Sequence, residues 1–541
     1  MNYWHMRLYP GRKLPKEEKE KYTKQALDAG VIGLDWGCGD LDPNTMEVYE
    51  KLKNKLVCEF NEEEKERFRE LIHNKNCGFP GEKESAIFGH FKYFCKEMKE
   101  GDIVLITIPV EKGSKPVALV RITSGPFFVS PETDEVWFSH RRKVEILYSW
   151  PEDTSDRCSL RRAPTVMPLT NKNTNPYKII ERKLKEINIL KKLESLVKIL
   201  KCQKQIILYG PPGTGKTYLA KQIAAKMLGL EPEAGVNEKH PENKDFQKAH
   251  LDSTEEPSKA KGKWALVQFH PSYHYEDFVR GIEVKAQGSG VLYEVADRIF
   301  VQMCNEAKNW CDSNCPDKER EECQRDECVK YIILIIDEIN RANLAAVLGE
   351  LIYALEYRDE PVRLPYGDDY LKIPPNLYII GTMNTADRSI GHIDYAVRRR
   401  FAFVQVLPDE EVITQYYQDK NENLGKAALN LFKAVEKLFD KDDCLSPDYH
   451  KEDVQPGHSY FLAEDIEELA FKFAYQVWPL LKEYCKDGVF LCENCTIELN
   501  GQSFPLKDNL TPEKILETVR GLISNFEEKS DENAKETDET E

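Results

Sequence analysis

The sequence predicts an α/β fold of the P-loop type, with a parallel sheet covered by helices, a helical region after it, and a small α+β domain in front. Three observations carry that prediction. From residue 205 onward, short apolar strands (205–208, 265–269, 331–336 and 377–380) alternate with helical segments, the pattern of parallel strands buried on both faces. The first strand runs straight into a glycine-rich loop and the helix-forming stretch YLAKQIAAKML. After about residue 408 the strands stop, and helix-like segments continue to about residue 525.

In chain order, residues 1–150 read as the α+β unit. Candidate strands 31–34, 102–108, 117–122 and 144–147 are short, rich in β-branched residues and bounded by Gly, Pro or charged turns, with a helix-forming stretch at 62–73 between them. Residues 151–176 carry four prolines among Thr, Asn and Ser, which is linker composition. Ile180, Leu184, Ile187, Leu190, Leu193, Val197 and Leu200 then recur at helical spacing, with Lys and Glu on the other face. This helix opens an α/β nucleotide-binding domain at 177–408, followed by a helical lid at 409–525. The ending FEEKSDENAKETDETE, 526–541, is poor in apolar residues and strongly charged, so it is expected to stay solvated and disordered.

Composition narrows the function classes. The 541 residues include 93 acidic and 76 basic side chains, for a formal charge of -17, and 41% are hydrophobic, enough for real cores. An acidic total argues against general nucleic-acid affinity but leaves a local site open. By segment the balance is about neutral over 1–165, basic over 166–201 and acidic in the tail. The longest aliphatic run, 332–336, falls far short of the ~20 residues of a membrane helix, and the polar start MNYWHMRLYPGRK has no apolar leader core. A cytoplasmic chain with no membrane span is expected, and its fifteen cysteines are then by default reduced thiols.

The strongest chemical signal is Gly210-Pro211-Pro212-Gly213-Thr214-Gly215-Lys216-Thr217, between a strand and a helix. Glycines let such a loop wrap phosphates, so that backbone N–H groups and the helix start face the anion. Lys216 would bridge β- and γ-phosphate oxygens, and the Thr217 hydroxyl would ligate Mg2+. A second strand, YIILIIDEIN, delivers Asp337 to hold Mg2+ through water and Glu338 to polarise the attacking water, at the strand end where α/β sheets bind ligands. Asn384, just past a third strand, suits positioning that water or sensing the γ-phosphate. Singly, these are a Gly-Pro turn, a polar strand end and an Asn-Thr turn; together and in this order they describe a nucleotide site.

These motifs also carry a resemblance. GPPGTGKT, FHPSYHYEDFVRG (269–281), DEINRAN (337–343), GTMNTADRS (381–389), DYAVRRRF (394–401) and GHSYF (457–461) resemble, in order, the AAA+ motor of the McrB family, over roughly residues 177–500. That family comprises the nucleotide-hydrolysing subunits of modification-dependent, type IV restriction systems. The resemblance implies a homo-hexameric ring, GTP as fuel with Mg2+, and a separate McrC nuclease subunit, serving restriction of foreign or modified DNA. It also implies that Arg399 and Arg400 are the candidates for an arginine reaching a neighbour's nucleotide, and that Asp387 of MNTADRS belongs to the catalytic set. No N-K-x-D guanine reader is present, since Asn243-Lys244-Asp245 lacks the spacing, so ATP stays open. An ATP-dependent remodeller or RNA-binding module unconnected with restriction is the competing class.

The amino-terminal unit is similar to a second family. AGVIGLDWGCGDL (29–41), GDIVLITIP (101–109) and SHRRKVEIL (139–147) resemble the PUA-related EVE/YTH-like domains that precede some McrB motors. That resemblance implies a modified base of double-stranded DNA flipped into an aromatic cage, where stacking contributes roughly 1–3 kcal/mol per base. Trp4, Trp36 and Trp137 are the cage candidates, each with a place in the core as its alternative. Arg141, Arg142 and Lys143 either hold phosphates or form a solvated charge run. The base, and DNA against RNA, are left open.

Two cysteine groups remain. Cys311, Cys315, Cys323 and Cys328 follow no standard zinc spacing; reduced thiols come first, a disulfide pair second and zinc third. Cys492 and Cys495, with Cys485 upstream, make at most half a zinc knuckle. For a nuclease, the E-x-K pair Glu283 and Lys285 lies inside the motor segment, so cleavage is expected in a partner.

Overall fold

The computed structural model describes residues 1–8, 15–34, 61–73, 90, 92–110, 113–129, 140–158, 166–230, 243–254, 260–287, 290–314, 330–386, 394–417, 420–441, 443–491, 495–499, 501–508, 513–517 and 519–521. The chain divides into two units, Met1–Lys191 and Lys192–Glu541.

The first unit is built on a seven-stranded sheet. Its strands are β1 (Tyr3–Met6), β2 (Val31–Leu34), β3 (Ile103–Pro109), β4 (Ser114–Ile122), β5 (Phe127–Phe128), β6 (His140–Ser149) and β7 (Val166–Pro168). They run in the order β2-β6-β4-β3-β1-β7, with β5 also pairing β6. Only β1 and β3 are parallel; the other pairs are antiparallel. Helix α1 (Lys16–Asp28) buries Ala26 and Leu27 in one core with Trp4, Met6, Val104, Ile106 and Val120, and α2 spans Glu62–His73. The opposite face gathers Ile103, Leu105, Leu119 and Trp150 with Ile179 and Ile180 from the start of α3 (Asn175–Gln203). Successive residues of β3 therefore enter different cores, which is why that strand reads as continuously apolar.

The expected linker is corrected here. Residues 166–168 form β7, which pairs with β1 through Trp4↔Pro168, His5↔Met167 and Met6↔Val166, and Cys158 exchanges backbone hydrogen bonds with Ser114. Proline is admissible in β7 because it stands at the sheet edge, where its missing N–H costs no ladder bond.

The second unit carries a five-stranded, all-parallel sheet of β8 (Gln205–Gly210), β9 (Gly262–Gln268), β12 (Tyr331–Asp337), β15 (Leu377–Asn384) and β16 (Ala402–Gln405), in the order β16-β8-β15-β12-β9. Ile206, Leu208, Ile333, Ile335 and Ile380 enter one core, and Ile207, Ile332, Leu334, Ile336 and Ile379 enter the other. Between strands lie α4 (Lys216–Met227), α5 (Asn243–Lys248), α6 (Tyr275–Phe278), the hairpin β10 (Arg280–Gln287) and β11 (Gly290–Asp297), and α7 (Ile299–Asn314). After β12 come α8 (Leu344–Leu348), α9 (Leu351–Glu356), the small hairpin β13 (Val362–Arg363) and β14 (Tyr370–Leu371), and, past β15, α10 (Tyr395–Arg398).

The lid comprises α11 (Glu410–Tyr417), α12 (Glu422–Phe439), α13 (Lys451–Val454), a 3-10 turn at His458–Phe461, α14 (Ile466–Lys472) and α15 (Trp478–Lys486). Asn421 caps α12 by accepting from the Asn423 and Leu424 N–H groups, and Leu424, Ala428, Leu431, Val435 and Leu438 line its buried stripe. The lid is not wholly helical as expected, because β17 (Thr496–Leu499) and β18 (Gln502–Pro505) form a hairpin that seals its core with Ile497 and Phe504. The default of reduced thiols fails here too. Cys444 and Cys495 are joined by a disulfide that ties the chain after α12 to the start of β17, and Cys485 is also disulfide-bonded. No helix among the described residues is long and apolar enough to cross a membrane.

Candidate functional site

The site lies at the carboxyl ends of β8, β12 and β15, where the strand order places the first strand beside the fourth and fifth. The loop after β8 turns through two left-handed glycines, Gly213 (φ 80°) and Gly215 (φ 73°), the second being the residue before α4. Lys216 is buried, and its ammonium donates to the Gly210 carbonyl (3.1 Å) and the Pro211 carbonyl (2.7 Å). The loop thus holds its own lysine across its mouth, with Thr214 closing it by donating to the Pro211 carbonyl at 3.0 Å.

β12 brings in the carboxylates. Thr217 Oγ1 and Thr382 Oγ1 each donate to Asp337 Oδ1 at 2.6 Å, and the Glu338 N–H donates to Thr382 Oγ1 at 3.1 Å. Thr382 was not singled out in the sequence; only the β12–β15 pairing shows that it fixes both acids. Glu338 itself sits at φ 53°, a left-handed conformation that costs a non-glycine residue of order 1 kcal/mol or more. It turns the Glu338 side chain across to Asn384, whose Nδ2 donates to Glu338 Oε1. Arg341 stands 3.5 Å from the other carboxylate oxygen. The carboxylate is 17% exposed, so it is shielded yet reachable.

The oxygen donors of Thr217 and Asp337 converge on one point next to the phosphate loop. Two hard oxygen ligands of this kind suit Mg2+, which keeps most of its own water and takes one or two protein ligands beside substrate phosphates. Among the described residues no group of three or more His, Cys, Asp or Glu side chains is placed to hold a metal by itself.

The lid closes against the loop. The Gly457 N–H donates to the Pro212 carbonyl (2.8 Å) and the Ser459 N–H to the Gly213 carbonyl (2.9 Å). A Cβ on Gly457 would stand 2.1 Å from the Gly213 carbonyl carbon, and one on Gly213 would stand 2.6 Å from the Tyr460 ring. From the β15 side, the Thr385 hydroxyl donates to the Asp453 carbonyl at 2.7 Å. The stretch GHSYF, which the sequence supplied only as part of a resemblance, is therefore a wall of the site.

The arginine run separates into three environments. Arg398 lies over the Phe403 ring at 5.0 Å. Arg400 is withdrawn: its guanidinium donates to the Ile352 carbonyl (2.7 Å) and the Ala396 carbonyl and pairs with Glu356 at 2.7 Å, leaving its side chain 8% exposed. Arg399 also reaches Glu356 at 2.7 Å but stays 61% exposed. Of the two finger candidates, Arg400 is engaged within its own chain, whereas Arg399 keeps an accessible guanidinium.

In the amino-terminal unit, two expectations are overturned. Trp4 is a core residue, 3% exposed, whose indole N–H donates to Asp102 Oδ2 at 2.9 Å; it offers no free face to a base. Arg141 and Arg142 are buried, and Arg142 donates to the carbonyls of Phe94 (2.8 Å), Ser124 (2.9 Å), Cys95 (3.3 Å) and Met98 (2.9 Å). Lys143 is the exposed member of that run. Trp36, Trp137, Asp387, Cys315, Cys323, Cys328 and Cys492, with the side chain of Cys311, lie outside the described residues. In the β10–β11 hairpin, Glu283 pairs with Arg298 and Lys285 with Glu294, so the E-x-K acid and base are each engaged elsewhere.

Comparison with known proteins bears on the family and the fold. Residues 253–401 match the AAA domain of the dynein-related subfamily, and residues 206–245 match the ATPase family associated with various cellular activities (AAA). The α/β unit therefore has the AAA+ P-loop fold. Over 331 residues, 58% of this chain, the sequence is 35% identical to the Type IV methyl-directed restriction enzyme EcoKMcrB subunit of Escherichia coli (strain K12), and it covers 60% of that protein. Over 87 residues, 13% of the chain, it is 38% identical to the Type II restriction enzyme BsuMI component YdiS of Bacillus subtilis (strain 168), covering 25% of it. The chain is thus McrB-like in its AAA+ part while spanning less than two thirds of either relative.

Proposed function

We propose that the protein is a nucleoside triphosphatase of a restriction system, with GTP as fuel, whose turnover drives a separate McrC-type endonuclease. The observation that carries this reading is the Thr217–Asp337–Thr382 and Glu338–Asn384 arrangement beside the 210–217 loop. Lys216, freed from its loop carbonyls by a bound triphosphate, neutralises β- and γ-phosphate oxygens. Thr217 and Asp337 hold Mg2+, which when bound supplies charge neutralisation to the phosphates. Glu338, aimed by Asn384, polarises the attacking water, and Asp387 is a further member of the catalytic set. Arg399 of one chain serves the nucleotide of the next in a homo-hexameric ring.

The amino-terminal unit supplies recognition. With Trp4 in the core, Trp36 and Trp137 are the tryptophans left to form a cage for a modified base in double-stranded DNA. A near-neutral unit suits selection of one flipped base better than general phosphate affinity.

The test is steady-state hydrolysis of GTP against ATP, with and without duplex DNA carrying 5-methylcytosine or N6-methyladenine and a McrC-type nuclease. Glu338→Gln is expected to bind nucleotide normally and to lose at least about 100-fold in kcat, on the scale of removing one positioned catalytic group. Wild-type turnover by Glu338→Gln would refute the site. Faster turnover of ATP would reassign the fuel, and binding confined to RNA would move the protein out of restriction.

A further inference from the structure

We propose that His458 is an additional nucleotide-binding residue, a neutral imidazole that donates its Nε2–H to a phosphate oxygen of the triphosphate held by the 210–217 loop. The inference rests on the reading of that loop as the nucleotide site and names a contact supplied by the lid.

Position comes first. The two backbone bonds from Gly457 and Ser459 to the Pro212 and Gly213 carbonyls bracket His458 and fix it against the loop. His458 Nε2 lies 3.4 Å from where a Cβ on Gly215 would stand. Gly215 directly precedes Lys216 and Thr217, so the ring faces the phosphate end of the site.

The proton position follows from a second contact. The Asp409 N–H donates to His458 Nδ1 at 3.3 Å, which requires a lone pair on Nδ1. A neutral imidazole with Nδ1 accepting carries its one proton on Nε2, the nitrogen that faces Gly215. Among the described residues no acceptor is hydrogen-bonded to that nitrogen. Burial, with Lys192 and Lys216 nearby, disfavours a second proton and pushes the imidazole pKa down to about 4 against the pull of Asp409. His458 is 7% exposed, so water reaches this donor only through a narrow opening on the site. An anion held by Lys216 and the loop N–H groups provides the missing acceptor. A neutral donor suits this place because it contributes a hydrogen bond to phosphate without adding another positive charge beside Lys216.

A phosphate contact does not read the base, and that separates it from a specificity residue. The test is the affinity of the full-length chain, with Mg2+ at pH 7.5, for non-hydrolysable GTP and ATP analogues by calorimetry, together with thermal unfolding of the nucleotide-free protein. His458→Ala is expected to weaken both analogues by about tenfold, the scale of one hydrogen bond to a charged group. His458→Gln, whose amide N–H replaces Nε2–H, is expected to recover most of the affinity. Unchanged affinity in His458→Ala overturns the proposal. So does weakening of one analogue alone, which would mean a base contact, or a parallel loss of binding and melting temperature in both variants, which would mean a structural role. Lys216→Ala is the reference: if it too binds normally, the reading of the loop itself has failed; if it alone loses binding, only the His458 assignment has.

Discussion

Two runs of three basic residues, Arg141-Arg142-Lys143 in β6 and Arg398-Arg399-Arg400 after β15, look alike as strings and are used in similar ways by unrelated folds. In each, an arginine with its side chain buried serves backbone carbonyls: Arg142 takes those of Phe94, Cys95, Met98 and Ser124, and Arg400 takes those of Ile352 and Ala396. The first run leaves Lys143 outside, and the second leaves Arg398 over the Phe403 ring and Arg399 exposed. Arginine suits the inward position because its five donors spread over several carbonyls while its charge stays delocalised. A run of like charge in a sequence is therefore not yet a binding surface, since the backbone decides which member reaches a ligand.

Substitutions sharpen the contrast. The largest effect is expected from Arg399→Ala, which should reduce kcat for GTP by about 10^3 to 10^5, as for arginines that stabilise phosphoryl transfer, while nucleotide affinity and melting temperature hold. If Arg400→Ala instead gave that kinetic loss in a protein of unchanged stability, the assignment of the two arginines would be reversed. Next comes Arg142→Ala, expected to destabilise the amino-terminal unit by about 3 kcal/mol because four carbonyls, three of them buried, lose a donor. Denaturant unfolding of the full chain checks this, and an unchanged midpoint would show that the carbonyls find other partners. The smallest effect on folding is expected from Lys143→Ala, within about 0.5 kcal/mol of wild type. Its DNA affinity should fall evenly across sequences, with a salt slope smaller by about 1. A loss specific to modified DNA would mean that Lys143 takes part in base selection.

The parts legible in the sequence were those whose signal is local. Four of the five strands of the AAA+ sheet, β8, β9, β12 and β15, are apolar runs, and the phosphate loop, Asp337, Glu338 and Asn384 each sit at a strand end. What escaped depends on pairing across long separations. β1 reads YWHM and β7 reads VMP, too short and mixed to be recognised before β3 and Cys158 are in place beside them. Thr382 acquires its role only because β15 lies against β12, and the partner of Cys495 lies 51 residues upstream. Arg141 and Arg142 were misread because charge suggests solvent, whereas this sheet is covered on both faces and consecutive residues of β6 both point inward.

The meeting of Gly457 with Gly213 has a mechanical consequence. Where two side chains meet, a joint has slack, because rotamers can change before the backbones move. Here the Gly457 alpha carbon bears directly on the Gly213–Thr214 peptide with no side chain between them, and a peptide hydrogen bond locks the chain on either side. A displacement of the phosphate loop by a few tenths of an ångström must then move the lid segment by the same amount or break both bonds. The lid behaves as a lever clamped at its fulcrum, and the Cys444–Cys495 link, across the lid's own core, stiffens the arm that such a lever would swing.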